Sequence, residues 1–578
     1  MKTTCPLDCY DACSVEYHDN KLRGDKEHPI TQGYLCPNLN SYLKTERIQT
    51  PRYKGKEISM QEAIAILKEQ LQTYHDKPSL YFKGQGNFGK MQDITSMFFE
   101  PYGATFTRGS LCDGAGDAGV LEGRGANLPL PYEEIAKSEV VVVWGRNIET
   151  SNSHIMPFIK DKIIVVIDPV ETDIAKKADL HVKIKPRSDL FVAILMARFL
   201  YIEVGEDETF IEQRGEEFDY FVDFIRSYPM KKLMRRCGVD PSDIITTLML
   251  IQGRRSVFLV GVGVQKYSHG HSVLRMIDSL AAMLGLFGKE GCGVSYLGNS
   301  SLGFENPFLT GKKSVPMPTV DFSAYDLVFI QGSNPANQMP RTKKVIEGLE
   351  KSDCVVYFGL YENETSQLAD LVIPAQNFLE KEDVRLSYGH AYVGMMPKLQ
   401  EAKSGISEYD LTQELLVEFG FDALEIPTFY IDKILENSEE KEGYRVSKSH
   451  EKIPYHDTFY TDEGKFVFVD EVDDEGLREQ GFFLITSKYK RSLNSQFKRA
   501  TKAYLPMESG FEEGDKVRIY SKYGAYIFEV ALDARLRDDS ILIYSGTKGV
   551  NYLTPDKLSE EGESAIYQDV KVKVEKVP

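Results

Sequence analysis

The sequence predicts a multi-domain α/β protein with a cysteine-bearing N-terminal segment, two related α/β sheet domains and a C-terminal β-barrel-like domain. Three observations carry this reading. Short apolar runs of strand length recur along the chain, each ending at a glycine or proline and separated by helical stretches, the pattern of open parallel sheets. The length of 578 residues accommodates about three to five domains of roughly 100–200 residues each. Beyond Gly481 the texture changes to short strands joined by glycine turns.

Residues 1–54 form the cysteine segment. Met60–Thr73 has helical periodicity and good helix formers. Leu80–Phe82 reads as a strand running into Gly84-Gln-Gly86-Asn-Phe-Gly89, with a helix expected from near Met91. Such a loop presents backbone N–H groups to an anion, typically a phosphate, although an ordinary glycine turn has the same composition. Glu139–Trp144 is a strand ending at Gly145-Arg-Asn147, and Ile163–Ile167 one ending at Asp168-Pro169. Ligands of open sheets bind beyond the C-terminal strand ends. There the Asp168 carboxylate can accept from a ribose or a guanine edge, or cap a helix. The pattern recurs at Ser256–Val260 with Gly261-Val-Gly263, at Tyr325–Ile330 with Gly332-Ser-Asn334-Pro335, at Cys354–Phe358 with Gly359, and at Leu371–Ile373 with Pro374. Residues 421–480 are acidic and turn-rich, as in a solvated connector. Phe482–Thr486, Lys516–Tyr520, Gly524–Leu532 and Ile541–Tyr544 are the expected strands of the last domain. The expected domains are 1–54, 55–135 with 295–420, 136–294, the connector 421–480, and 481–578.

Hydrophobic residues make up 42% and charged residues 27%, an ordinary globular mixture. The net charge of −18 disfavours nonspecific binding to a nucleic-acid backbone. The N-terminus shows no apolar secretory core, and no apolar run is long enough for a membrane span. A cytoplasmic protein is the expectation. A chain this long buries ample core without disulfide staples.

Eight cysteines occur, at 5, 9, 13, 36, 112, 237, 292 and 354. Cys5, Cys9, Cys13 and Cys36 form C-x3-C-x3-C-x22-C. Three closely spaced thiolates wrap one centre, and a fourth returns to complete tetrathiolate coordination. Zinc and a [4Fe–4S] cluster both use such a set, and four unliganded thiols are the third reading. Zinc sites usually pair two tight knuckles, so three cysteines against one point more to the cluster. Cys237 and Cys354 read as buried thiols. Cys292, between two glycines, reads as part of a tight turn.

With these motifs in place, the sequence resembles the molybdopterin oxidoreductase family, the group related to dimethyl sulfoxide reductases and formate dehydrogenases. The resemblance runs nearly end to end. It is carried by the cysteine triplet with Gly33-Tyr-Leu-Cys36, by Trp144-Gly-Arg-Asn147, by Asp168-Pro-Val-Glu-Thr172, and by Ala178-Asp179 with Lys185-Pro-Arg-Ser-Asp189. Gly261-Val-Gly263 with His269-Gly270, Gly332-Ser-Asn-Pro335, Glu364-Thr365, Ala369-Asp370 and Pro374 continue it. Thr486-Ser487 and Asn494-Ser-Gln-Phe497 resemble its last dinucleotide-binding segment.

The resemblance implies a bis-molybdopterin guanine dinucleotide carrying molybdenum or tungsten, and one 4Fe–4S cluster on Cys5, Cys9, Cys13 and Cys36. It places Asn147, Asp168, Thr172 and Asp189 in one nucleotide site. Gly332, Asn334, Pro335, Glu364 and Asp370 fall near the other, with Gly84, Gly86, Gly89, Gly263 and Asn494 as further cofactor contacts. Thr107-Arg108-Gly-Ser-Leu-Cys112-Asp113-Gly-Ala-Gly116 resembles the segment that supplies the protein ligand to the metal. Cys112 is the matching residue, and a thiolate suits a soft metal. Asp113 is the alternative ligand or a neighbouring carboxylate. Arg108 is a candidate residue of the substrate funnel, as are His154, His269, His390, Arg124, Arg146 and Arg385, although each also reads as an ordinary surface or phosphate-contacting side chain.

Two departures matter. Formate-oxidising relatives usually place histidine after the ligand. Here Asp113 stands there, which disfavours a formate dehydrogenase because an ionised carboxylate repels an anionic substrate. Many members carry Lys or Arg two residues after the fourth cysteine, bridging cluster and pterin, and here that residue is the uncharged Asn38. Lys44 is a candidate substitute. The leading expectation is two-electron redox chemistry on a small molecule, with electrons passing through the cluster to a separate electron-carrier protein or iron–sulfur subunit. Two alternatives stand beside it. One is a non-redox hydratase or transhydroxylase, in which Asp8 or Asp11 serves as an acid if buried beside the metal, although the same aspartates read more simply as turn caps. The other is a noncatalytic electron-relay subunit.

Overall fold

The computed structural model describes residues 1–84, 89–299, 301–472, 476–477 and 479–577. The chain divides into two compact units. One comprises Met1–Arg108, Ser300–His450 and Tyr489–Arg499, and the other Gly109–Asn299, Glu451–Lys488 and Ala500–Pro578.

The first unit is built on a six-stranded sheet, in the order Lys56–Glu57, Arg52–Tyr53, Leu371–Pro374, Cys354–Gly359, Leu327–Gln331 and Ser79–Lys83. The last four strands are parallel. Both faces are covered, so these strands read as unbroken apolar runs. The helix Met60–Thr73, started by a Ser59–Glu62 capping box, contributes Leu67 and Leu71 to a core with Phe98, Phe99, Phe329, Phe358, Leu411 and Leu415. Register sets Gln331 beside Lys83 and Phe358, so Gly84, Gly332 and Gly359 lie along one C-terminal edge. Where a helix was expected from Met91, a 3₁₀ helix Lys90–Thr95 comes first and runs into the α-helix Ser96–Tyr102.

A three-stranded antiparallel sheet, Lys2–Thr4, Ser14–His18 and Lys21–Gly24, carries the N-terminal cysteines. Residues 421–480 were expected as a solvated connector. Part of that stretch forms the helix Pro427–Leu435 and the hairpin Ser438–Lys441 with Tyr444–Ser447. Tyr430, Ile431 and Ile434 of the helix are buried against Met91, Ile94 and Val384. The charged residues of this stretch cover an amphipathic helix whose apolar side has a core to join.

The second unit holds a five-stranded parallel sheet, in the order Leu180–Val182, Ile163–Ile167, Val140–Trp144, Ser256–Val260 and Gly293–Tyr296. Chain direction through the sheet reverses between Val140–Trp144 and Ser256–Val260. That is a topological switch point, where a crevice opens beyond the strand ends. The helices Asp189–Phe199 and Gly270–Met283 are buried along most of their length. The C-terminal part is a closed barrel of Phe482–Ile485, Ser540–Leu542, Lys502–Leu505, Ala525–Leu532, Lys516–Tyr520 and Lys571–Lys576. Alternate residues Val517 and Ile519 point inward with Phe528, Val530 and Ile541. The strands Lys502–Leu505 and Lys571–Lys576 were not anticipated from the sequence.

Candidate functional site

The first candidate site is the cysteine pocket. Cys5, Cys9 and Cys13 lie on the connection between Lys2–Thr4 and Ser14–His18, which the Cys5 N–H closes by donating to the Cys13 carbonyl at 2.9 Å. Cys36 precedes the helix Pro37–Tyr42. Burial raises all four thiols, Cys5 to about 12. Each of them also feels the Asp11 carboxylate, which pushes it further up. Against this, Arg385 lowers Cys5, and the N–H groups of Leu39 and Asn38 lower Cys36. Arg385 is fully buried and donates to the carbonyls of Leu7 and Cys9, while His390 Nε2 stands 2.7 Å from the Asp11 carbonyl. The segment 385–390 therefore holds the cysteine loop. Buried thiols are stable while protonated, and a metal group replaces those protons on binding. In type and number the four thiols fit a polynuclear cluster. Among the described residues no three His, Cys, Asp or Glu side chains are gathered as a site for one metal ion.

Along the sheet edge of the first unit, Gly84 N–H donates to the Gln331 carbonyl and Gly332 N–H to the Phe358 carbonyl, both at 2.9 Å. Asn334 is the hub. Its Nδ2 donates to Glu364 Oε2 at 2.9 Å and to Ser495 Oγ at 3.1 Å, and its Oδ1 accepts from the Thr365 hydroxyl at 2.9 Å. Arg499 reaches Glu364 Oε1 at 2.9 Å. Burial pushes the Glu364 carboxyl up, but the Asn334 bond and Arg499 outweigh it and hold it below its ordinary value. Pro335 opens the short helix Pro335–Gln338.

In the second unit, the switch point is lined by Gly145 and Gly261. Gly145 N–H donates to the Ile167 carbonyl and Gly261 N–H to the Trp144 carbonyl, both at 2.9 Å. A Cβ on Gly261 would lie 2.3 Å from the Gly145 oxygen, so only glycine fits. Among the described residues Asn147 Oδ1 is buried there with no hydrogen-bond partner. Asp168 accepts from Val170 N–H at 2.8 Å, and Asp189 accepts from the Trp144 indole at 2.9 Å. Burial pushes both carboxyls up to about 7, and Asp189 adds repulsion at Asp168. An orphaned amide oxygen and two carboxyls, all beyond the C-terminal ends of neighbouring strands, fit a ligand edge that brings N–H or O–H donors.

Cys112 stands exposed on a tight loop before the helix Gly114–Arg124. The Ser110 hydroxyl organises the loop: its oxygen accepts from the N–H groups of Cys112 at 2.8 Å and Asp113 at 3.1 Å, and it donates to Asp113 Oδ1 at 2.9 Å. Gln265 Nε2 donates to the Cys112 carbonyl at 2.6 Å, and its Oε1 accepts from Gly116 N–H at 3.0 Å. Lys266 Nζ donates to the carbonyls of Leu111, at 2.9 Å, and of Cys112. Burial lowers the Lys266 ammonium, opposed by the charges of Cys112 and Asp113.

Residues 47–410 match the family model described as Molybdopterin oxidoreductase, and residues 482–571 match that of the Molydopterin dinucleotide binding domain. The chain belongs to the molybdopterin oxidoreductase family. It is similar to the probable oxidoreductase YyaE of Bacillus subtilis (strain 168), 29% identical over 537 residues covering 81% of this chain and 78% of that protein. YoaE of the same organism, also a probable oxidoreductase, is 24% identical, covering 100% and 98% of the two chains. The F420-dependent formate dehydrogenase subunit alpha of Methanocaldococcus jannaschii is 26% identical, covering 66% and 64%. Among solved structures, acetylene hydratase from Pelobacter acetylenicus superposes with a TM-score of 0.83 at 17% identity, over 100% of both chains.

Within this molybdopterin oxidoreductase the structure gathers Asn334, Pro335 and Glu364 at one sheet edge, and Asn147, Asp168 and Asp189 with Gly263 near the other. Gln568 is set to bridge the Gly263 carbonyl and Thr486 N–H, each at 3.4 Å. Asp370 is not brought to its expected group. It precedes the strand Leu371–Pro374, at the opposite end of the sheet, and accepts from Val355 N–H at 2.9 Å. Thr172 Oγ1 accepts from Ala175 N–H at 3.3 Å, beside the start of the 3₁₀ turn Ala175–Lys177. Asn494 takes the left-handed φ of +50° in a hairpin turn, and its neighbour Ser495 makes the bond to Asn334. Gly89 packs against Asp383, while Gly86 lies outside the described residues. Arg108 donates to the Ser314 carbonyl at 2.7 Å. Arg124, a candidate funnel residue, is fully buried and pairs with Asp278 beneath the rings of Phe287 and Tyr455. Sequence reasoning missed Gln265, Lys266 and Arg499. Each lies a few residues past a recognised segment, which was the available signal. Among the described residues no helix is long and apolar enough to cross a membrane.

Proposed function

We propose that this chain is a molybdenum- or tungsten-dependent enzyme of the non-redox class, adding water to a small molecule or transferring a hydroxyl group. In this reading it holds a bis-molybdopterin guanine dinucleotide, with Cys112 as the protein ligand to the metal and Cys5, Cys9, Cys13 and Cys36 carrying a 4Fe–4S cluster. The observation that carries the reaction class is residue 38. Where many family members set a cation between cluster and pterin, Asn38 is uncharged and half-buried, and its backbone N–H is spent on Cys36. Water addition needs no electron conduit there. The end-to-end likeness to a protein named a hydratase supports the same reading.

A metal held at Cys112 would supply Lewis acidity toward substrate or water. The chain's own groups do the rest. Cys112 faces outward from a loop fixed by Ser110, Gln265 and Lys266. The Asp113 carboxylate, oriented by the Ser110 hydroxyl, is the acceptor for a proton from water. Asn147, Asp168 and Asp189 hold one nucleotide, and Asn334, Pro335 and Glu364 the other.

The second reading is two-electron redox with a separate electron carrier or iron–sulfur subunit. It is favoured by the names of the sequence relatives, which are oxidoreductases and a formate dehydrogenase subunit. The test is turnover of unsaturated and hydroxylated small molecules by anaerobically isolated protein, with and without an artificial electron acceptor. Product formed without acceptor, with no change in cluster absorbance, supports the non-redox reading. Strict dependence on acceptor selects the redox one.

A further inference from the structure

Three consecutive carbonyls in the Cys112 loop each receive a side-chain donor. Lys266 Nζ donates to those of Leu111 and Cys112, Gln265 Nε2 to that of Cys112, and the Tyr296 hydroxyl to that of Asp113 at 3.1 Å. Gln265 is 0% and Lys266 8% exposed. A neutral donor would suffice as a pin, and Gln265 is one. A buried ammonium is costly unless an anion faces it. Among the described residues Lys266 makes no salt bridge, and the charges that favour its ammonium are those of Cys112 and Asp113 in the loop itself. The neighbouring carboxylate of Asp113 is engaged with the Ser110 hydroxyl, and the Lys266 ammonium lies 5.3 Å from the centre of the Tyr567 ring. The cation is thus aimed at the backbone of the residue that is to carry the negative charge.

We propose that Lys266 is a positioning residue for the metal ligand. It locks the carbonyls of Leu111 and Cys112 so that the thiolate projects outward, and it supplies the positive charge that offsets the anionic centre formed on Cys112. The proposal rests on the reading of Cys112 as the metal ligand.

The test uses the holoenzyme in three variants, read by amide hydrogen exchange of residues 110–113 and by the midpoint potential of the metal signal. Lys266→Met is expected to speed loop exchange by about tenfold or more, from loss of a charged hydrogen bond. It should also move the potential in the negative direction, because a nearby positive charge is removed. Lys266→Arg is expected to restore both. Lys266→Gln, which keeps a donor without the charge, should shift the potential with less effect on exchange. It also serves if the Met variant does not fold. Wild-type protein that carries neither molybdenum nor tungsten would overturn this proposal together with the functional reading. Wild-type protein that carries the metal, with unchanged exchange and potential in the Met and Gln variants, would overturn this proposal alone.

Discussion

The Trp144 indole donates to Asp189 Oδ1 at 2.9 Å, and this bond joins the end of a central strand to the first residue of the helix Asp189–Phe199. It fixes one of two carboxyls that burial pushes up to about 7, the other being Asp168. Their ordinary value in an unfolded chain is about 3.9. A carboxyl raised by folding binds its proton more tightly in the folded state. The stability it confers is therefore complete below about pH 4 and is lost as pH rises toward 7. Cofactor-free protein is expected to melt at progressively lower temperature between these limits. Asp189→Asn should flatten that slope, as thermal melts across the pH series will show.

Glu364 has the opposite sign. Asn334 and Arg499 outweigh burial and hold its carboxyl below the ordinary range, so its stabilisation is present above the unfolded value and lost as pH falls through the folded one. The pair with Arg499 is partly exposed, and Arg499→Met is expected to cost about 1 kcal/mol. Denaturant titration at neutral and acid pH should show the loss shrinking as Glu364 protonates.

Arg124 and Asp278 form an ion pair with both side chains fully buried. Removing one partner strands the other, so Asp278→Asn or Arg124→Met should destabilise by about 3–5 kcal/mol. If Arg124 instead served the substrate, its variants would keep stability and lose turnover, which unfolding and kinetic measurements separate.

Gly261→Ala puts a methyl group 2.3 Å from the Gly145 oxygen at the switch point. The strand ends must part, at a cost of about 1–3 kcal/mol. Guanine nucleotide released on denaturation is expected to fall relative to wild type.

Much of the fold was legible because its strands are buried on both faces. Val140–Trp144, Ser256–Val260, Leu327–Gln331 and Cys354–Gly359 are largely apolar runs that end at glycines, as strands covered on both faces do. The Cys112 loop was legible only as a ligand and its flanking glycines. Its pins, Gln265 and Lys266, come from beyond another strand, and no local pattern reports a contact across that separation. Asp370 and Asp168 look alike in sequence, each a carboxylate next to a strand. Their difference is which end of the strand they occupy: Asp168 follows its strand, and Asp370 precedes its own. The helix Pro427–Leu435 was hidden because acidic residues dominate the composition around its buried side.

The central claim is tested most directly by metal and cofactor analysis of anaerobically isolated protein, comparing wild type with Cys112→Ser and Cys13→Ser. The account predicts molybdenum or tungsten with guanine nucleotide and iron in the wild type, an altered metal spectrum in the Cys112 variant, and loss of iron in the Cys13 variant. Stoichiometric zinc, with neither molybdenum nor tungsten and no guanine nucleotide, would contradict it.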